Sequence, residues 1–450
     1  MRHTGRGKHV VVIGAGFAGL AAAYELCNHN IKVTVLEKDE HIGGLASSFE
    51  TNGCRLEKFY HHFFNHDQYV VQLVKELGCL DELVRRPTNT GIYCDRRIIK
   101  LSTPFDLLRF EPLGLLDRIR LGLLVMWVPK VKDWRPLDSI TAQQWLTKLC
   151  GPNVYSVLWE PLLRGKFGAY ASQVSAAWFW SKLALRGASR NKKGAEMLVY
   201  YRGGFSSLAD KIAENITKTG GVIKTAAEAT GLVVENHRIK AVRTPDGTID
   251  ADAVIATPAL PVIAQLVEPY VDDQYVAGLG KIKYLANICL VLELSHGLSG
   301  IYWLNVNDAE FPFVGVIEHT NFQPVESSGG KHIVYLSKYL SQPDQMYKMT
   351  KEHLFEFALP HIKRMFPKFD DSWVLGYHVW KSPYAQTVTE CNYSTLIPAK
   401  RTPVSGFYIA TMAQIYPEDR GINYAIREGR NIATLAAKTF ENKARNDNDE

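Results

Sequence analysis

Three glycines, one acid and a run of rings carry the chemistry legible in this chain. Near its start, in "KHVVVIGAGFAGLAAAYELCNHNIKVTVLEKDEHIGG", Gly14, Gly16 and Gly19 are spaced G-x-G-x-x-G. Backbone N–H groups at a helix start bind a diphosphate well when no side chain stands in the way. The first glycine permits a tight turn, the second lets the diphosphate approach, and the third lets helix and strand pack closely. Glu37 ends the next apolar run, about 20 residues on, where a carboxylate can accept hydrogen bonds from ribose hydroxyls. Phe17 and Ala18 fall inside the turn, and Lys38 follows the acid. The pattern specifies a dinucleotide site.

The ring run is "LEKFYHHFFNHD", with Tyr60, His61 and His62 at its centre. Imidazoles near neutral pH can donate to or accept from a ligand, so the run suits a pocket wall. If it is a strand, His61 and His62 point to opposite faces, and only one reaches a ligand easily. The other readings are a half-buried strand of packed rings and a metal site. Adjacent histidines without an acid cluster make poor chelators, so no metal is expected. Two further segments offer candidates. Arg164 and Lys166 in "VLWEPLLRGKFGAY" suit an anionic substrate, and Trp380, Lys381 and Tyr384 in "GYHVWKSPYAQTVTECNYS" suit a substrate wall.

These residues need a scaffold. Val10 to Ile13 is a continuous β-branched run, as a buried parallel strand requires. The small residues from Ala18 to Leu26 suit a tightly packed helix, and "KVTVLE" reads as the next strand. Residues 65–190 show helical apolar spacing, and "LRFEPLGLLDRIRLGLLVMWVPKVKDWR" (108–135) is strongly apolar with basic flanks. That segment reads either as a buried helix pair, the preferred reading, or as an interfacial segment beside a lipophilic tunnel. "NICLVLEL" and "HIVYLSKYL" read as strands, "KEHLFEFALPHIKRMF" as an amphipathic helix, and "DG" at Asp246-Gly247 as a hairpin turn.

The 450 residues fit more than one domain, and a net charge of +6 is too small to mark a nucleic-acid binder. Seven scattered cysteines with no C-x-x-C pair argue against a zinc site or disulfide framework. A reducing compartment follows, so the expected location is the cytoplasm, with peripheral membrane contact through 108–135 as a further option. The polar tail 441–450 is expected to fray.

The opening "GxGxxG … LEKxxxxGGLASSF", with Gly43, Gly44, Leu45 and Ala46 in its glycine doublet, resembles the FAD-binding start of the amine oxidase superfamily. That superfamily includes protoporphyrinogen oxidases, amine oxidases, phytoene desaturases and UDP-galactopyranose mutases. "YRGGFSSLADKI…ADAVIATPAL" (201–260) is similar to its middle segment, and "GFYIATMAQIYPEDRGINYAIREGRNIATLAA" (406–437) to its C-terminal flavin motif. The resemblance implies an α/β fold: a Rossmann-type, GR2-like FAD domain from 8–64, 200–262 and 402–440, plus a mixed α+β substrate domain from 65–199 and 263–401. It places Ala229 at the adenine, and Arg420, Gly421 and Ile422 where a helix start faces the flavin. Met412 stands where the family has an acid, which Asp419 is positioned to replace. Glu57 matches an acid beneath the flavin, with Phe59 in place of a usual glycine.

The function implied is an FAD-dependent oxidoreductase taking hydride from a substrate C–H. The alternative is a redox-neutral mutase acting on a sugar nucleotide, and a third reading is a flavoprotein kept for binding alone. A small-molecule substrate is expected, lipophilic or anionic, with no nucleic acid; the sequence leaves its identity and the oligomeric state open.

Overall fold

The structure, a computed structural model, describes residues 7–189 and 196–449. Met1 to Arg6 of the basic start, residues 190–195 and Glu450 lie outside the described residues, as do the side chains from 442 onward. The fold is α/β, as expected. A five-stranded parallel sheet has the order Val222–Lys224, Lys32–Leu36, His9–Ile13, Ala253–Ala256, Phe407–Ile409. Its strands come from three separated stretches of chain. The central strand is buried from Val10 to Ile13 because both faces are covered, which explains its unbroken apolar run.

Helix Phe17–Asn28 lies against the last helix, Ile422–Asp449, with almost no space between them. A Cβ built on Gly429 would sit 2.1 Å from the Ala18 carbonyl oxygen. That last helix runs on to Asp449, through the stretch read as a fraying tail.

The second half of the molecule is built on a seven-stranded mixed sheet. Its order is Val374–Thr387, Tyr284–Leu294, His332–Leu340, Gly315–Glu318, Trp303–Val306, Thr90–Cys94, Arg97–Lys100. Only the Trp303–Val306 and Thr90–Cys94 pair is parallel. Both expected strands and the helix Lys351–Met365 are present. Residues 65–190 are less helical than their periodicity suggests, since Leu83–Pro87, Thr90–Cys94 and Arg97–Lys100 are strands. The hairpin joining the last two turns at Asp95 and Arg96, at φ of +52° and +57°. Such turns usually select Asn-Gly, so this one gave no sequence signal. The later hairpin is also displaced. Thr244 pairs with Gly247, so Pro245 and Asp246 make the turn and Gly247 starts the strand.

The ring run is not a strand where it matters. Leu56 and Glu57 pair with Phe49 and Ser48, Phe63 and Phe64 pair with Val199 and Leu198, and residues 59–62 between them form an irregular loop. The loop rather than strand alternation therefore aims His61 and His62.

Candidate active site

The glycine turn sits at the carboxyl end of the central strand. Gly14 takes φ +97°, and Gly43 and Gly44 take +109° and +58°. The doublet folds back onto the turn: Gly43 N–H donates to the Ala15 carbonyl at 2.8 Å. A Cβ on Gly44 would meet Gly16 Cα at 3.1 Å, and one on Gly19 would meet the Gly14 oxygen at 1.9 Å. No side chain caps helix Phe17–Asn28, so its first N–H groups remain available to an anion. Glu37 is buried and holds the turn as well as facing the site. Its Oε2 accepts from Ala15 N–H at 2.7 Å and its Oε1 from Asp39 N–H at 3.1 Å. Two carboxylate oxygens have about four acceptor sites, so capacity remains for ribose hydroxyls.

A cavity of about 800 Å³ opens over this turn. Gly14, Gly16, Phe17, Ala18, Glu37, Lys38, Gly43, Gly44, Leu45, Ala46 and Ala229 line it, with Met412, Arg420, Gly421 and Ile422 at the other end. Gly19 does not line it, because its role is helix packing. Trp380 and Tyr384 also lie here, so these two line the dinucleotide cavity and not a separate substrate chamber.

A second cavity of about 320 Å³ adjoins the first. Leu45, Phe59, His61, Arg420, Gly421 and Ile422 line both. Tyr60, His62, Lys166 and Asp419 line only the second. Much of its wall is aromatic, including Trp159, Phe167, Trp178, Phe179 and Trp303.

The histidines are held neutral. Burial first, offset in part by the Phe59 carbonyl, pulls His61 down to about 4. Its Nδ1 lies 2.6 Å from that carbonyl, which can only accept, so Nδ1 carries the proton and Nε2 is the free acceptor. Burial, with Arg186, Lys182 and His61 adding to it, pulls His62 to about 3. Its Nδ1 lies 3.1 Å from the Tyr302 hydroxyl.

Several expected placements are corrected. Asp419 does not face the dinucleotide cavity. Its Oδ2 accepts from Lys166 Nζ and lies as close to Lys182 Nζ, both at 2.7 Å, while Trp178 Nε1 donates to Oδ1 at 3.2 Å. Burial pushes this carboxyl up, but Lys166, Lys182 and Arg420 outweigh it and hold it well below the usual range. It is the counter-ion of two lysines and does not replace the acid missing at Met412. Arg164 is exposed and pairs with Glu160 one helical turn away, at 2.7 Å, so it reaches neither cavity. Glu57 is buried under the ring loop, accepting from Tyr200 OH at 2.6 Å and Phe205 N–H at 3.0 Å. Those bonds make it an anchor for helix Gly204–Lys218, outside both cavities.

Sequence reading missed Lys182, Arg186, Tyr339 and Gln386. Arg420 is fixed by the last two, donating from Nε to Gln386 Oε1 and from Nη2 to Tyr339 OH, both at 3.0 Å. Lys182 and Arg186 stand four apart in helix Ala176–Ala188, whose other residues are mainly apolar. Two cations on one face of an apolar helix was the available signal. Among the described residues, no group of three or more ligating side chains could hold a metal ion.

A glycine turn with an uncapped helix, a buried ribose-ready acid and a cavity running to a second helix start define a dinucleotide-dependent redox protein. The chain belongs to the flavin containing amine oxidoreductase family, whose model matches residues 17–437. It is an FAD-dependent oxidoreductase. The zeta-carotene desaturase of Synechocystis sp. (strain ATCC 27184 / PCC 6803 / Kazusa) is 24% identical over 464 residues, covering 89% of this chain and 91% of that one. An oxidoreductase from Methanosarcina mazei superposes with a TM-score of 0.75 at 19% identity, over 94% of this chain and 99% of that one. A reduced UDP-galactopyranose mutase superposes with a TM-score of 0.73 at 15% identity, over 97% and 98%. The two structural likenesses bear on the fold alone.

Proposed function

We propose that the protein dehydrogenates an apolar small molecule bound in the second cavity. The observation that carries this reading is the meeting of the two cavities along Leu45, Phe59, His61, Arg420, Gly421 and Ile422. Bound FAD supplies the hydride acceptor. In this reading Gly14, Gly16, Gly43 and the start of helix Phe17–Asn28 hold the diphosphate, Glu37 the ribose and Ala229 the adenine. The helix start at Gly421 and Ile422 faces the flavin ring. The aromatic wall binds the substrate and excludes water, and His61 presents an unprotonated Nε2 at the junction. Four cations in the second cavity, Lys166, Lys182, Arg186 and Arg420, disfavour an ammonium substrate. An isoprenoid or a porphyrinogen suits this wall better than an amine, and the desaturase relative points the same way.

The test is anaerobic reduction. FAD-loaded protein should lose its visible flavin bands with a polyene precursor or a porphyrinogen, and keep them with putrescine or cyclohexylamine. Bleaching by amines alone would overturn the substrate reading, and no flavin bands after adding FAD would overturn the whole.

An apolar substrate needs a supply route, and we propose that segment 104–135 docks on an anionic membrane surface. The buried-pair reading of 108–135 does not hold. Leu115, Leu116, Ile119, Leu123, Met126 and Trp127 share the outer face of helix Leu115–Trp127, with Leu116 72% and Met126 63% exposed. Phe105 and Leu108 are exposed as well, and the segment carries exposed Arg109, Arg120, Lys130, Lys132 and Arg135, of which Arg120 pairs with Asp117 and Arg135 with Asp133. The far end of the segment rests on helix Ala176–Ala188, where Trp180 Nε1 donates to the Val128 carbonyl at 3.0 Å. That helix also walls the second cavity. No helix among the described residues is long and apolar enough to cross a membrane. Leu116→Asp with Leu123→Asp should lower binding to phosphatidylglycerol vesicles at least about tenfold, since each leucine contributes roughly 1.5–3 kcal/mol when buried. Failure of the wild-type chain to sediment with such vesicles would refute this.

A further inference from the structure

The second cavity holds more positive charge than it neutralises. Lys166, Lys182, Arg186 and Arg420 line it, against Asp67 and Asp419. Asp419 is shared by both lysines through one oxygen. Asp67 is turned to its own loop, its Oδ2 accepting from Phe64 N–H at 2.9 Å. The Arg186 guanidinium forms no hydrogen bond or ion pair among the described residues, and it lies 5.9 Å from the Trp303 ring centroid. The two histidines in the wall stay neutral and add no charge, His62 being pulled down in part by Arg186 and Lys182.

Arg186 is half-buried in an aromatic wall with no counter-charge of its own, and a partly desolvated cation gains most from a ligand that completes the pairing. The remaining wall is aromatic. We infer that the second cavity is a binding site for an amphiphile: an apolar body against the rings and an anionic head, carboxylate or phosphate ester, on Arg186 and Lys182. This deepens, and rests on, the reading of that cavity as the substrate chamber. It also matches the membrane-facing patch, because an anionic amphiphile resides at a lipid surface. Arg186 and Lys182 line the cavity from one helix, Lys166 from helix Glu160–Phe167, and Arg420 from the loop before helix Ile422–Asp449. Asp419 keeps the lysine pair from repelling when the site is open.

The test uses FAD-loaded protein carrying Leu116→Asp and Leu123→Asp, so that the surface patch does not compete for alkyl chains. Dodecyl phosphate, dodecanoate, dodecanol and UDP are titrated by calorimetry and by the shift of the flavin bands. The head-group contacts predict that dodecyl phosphate or dodecanoate binds at least about tenfold tighter than dodecanol. Which of the two is tighter identifies the head as phosphate or carboxylate. Arg186→Met with Lys182→Met should abolish that preference while leaving dodecanol unchanged. Equal binding of dodecanol and the two anions would overturn the inference, as would UDP binding as tightly as dodecyl phosphate, since the apolar body would then contribute nothing. Absence of flavin bands is seen before any probe is added, so failure of the flavin reading is told apart from failure of this one.

Discussion

Asp419→Asn should destabilise the folded protein by about 3–5 kcal/mol, the cost of removing one member of a buried ion pair. The substitution is nearly isosteric, so packing around it is preserved. What changes is that Lys166 and Lys182 lose their shared partner, both at 2.7 Å, in a site that burial already makes unfavourable for charge. The urea midpoint measures the loss. The pH dependence supplies a second check. The folded carboxyl lies well below its unfolded value of 3.8, so its contribution is complete above that value. It is lost only as pH falls through the folded value. The gap between wild type and variant should therefore stay constant from about pH 5 to 8 and narrow in stronger acid. A variant as stable as wild type at neutral pH would show that the two lysines are uncharged in the folded state, and the cation-rich cavity would lose its basis.

Gly19→Ala should abolish tight FAD binding. Its Cβ would fall 1.9 Å from the Gly14 carbonyl oxygen, which belongs to backbone and cannot swing aside. Helix Phe17–Asn28 must then move off the turn that its own first N–H groups serve. Overpacking of this kind costs about 1–3 kcal/mol or more. An affinity loss of at least about tenfold follows, read by fluorescence titration with FAD. Gly429→Ala should do the same from the other side, since its Cβ would approach the Ala18 oxygen to 2.1 Å. Gly278→Ala is the control: nothing lies within 4 Å of its Cβ and its φ is ordinary. If Gly19→Ala binds FAD like the control, helix and turn do not act as one unit.

The paired glycine predictions show how far the sequence could be read. Gly19 is legible because its partner, Gly14, is five residues away and the spacing recurs wherever a diphosphate meets a helix start. Gly429 carries an equal constraint but has no motif. Its neighbour is Ala18, and only the packing of the last helix against the first brings them together. The surface patch gave a split signal for a similar reason. An apolar helix with basic flanks reads the same whether its outer face meets protein or solvent.

The sequence by itself determined the dinucleotide half of this protein. Its strand, turn, helix and acid lie within the first 45 residues, and each is specified by local sterics or by burial on both faces. The tertiary structure decided what the charged residues are for. Lys166 and Asp419 stand 253 positions apart, and Lys182 and Arg186 come from the stretch 65–190, read only for its helical apolar spacing. The meaning of a charge depends on what desolvates and what neutralises it, and both are set by distant parts of the chain. That physics turned an expected flavin ligand into a counter-ion, and an apolar helix into the charged wall of the second cavity.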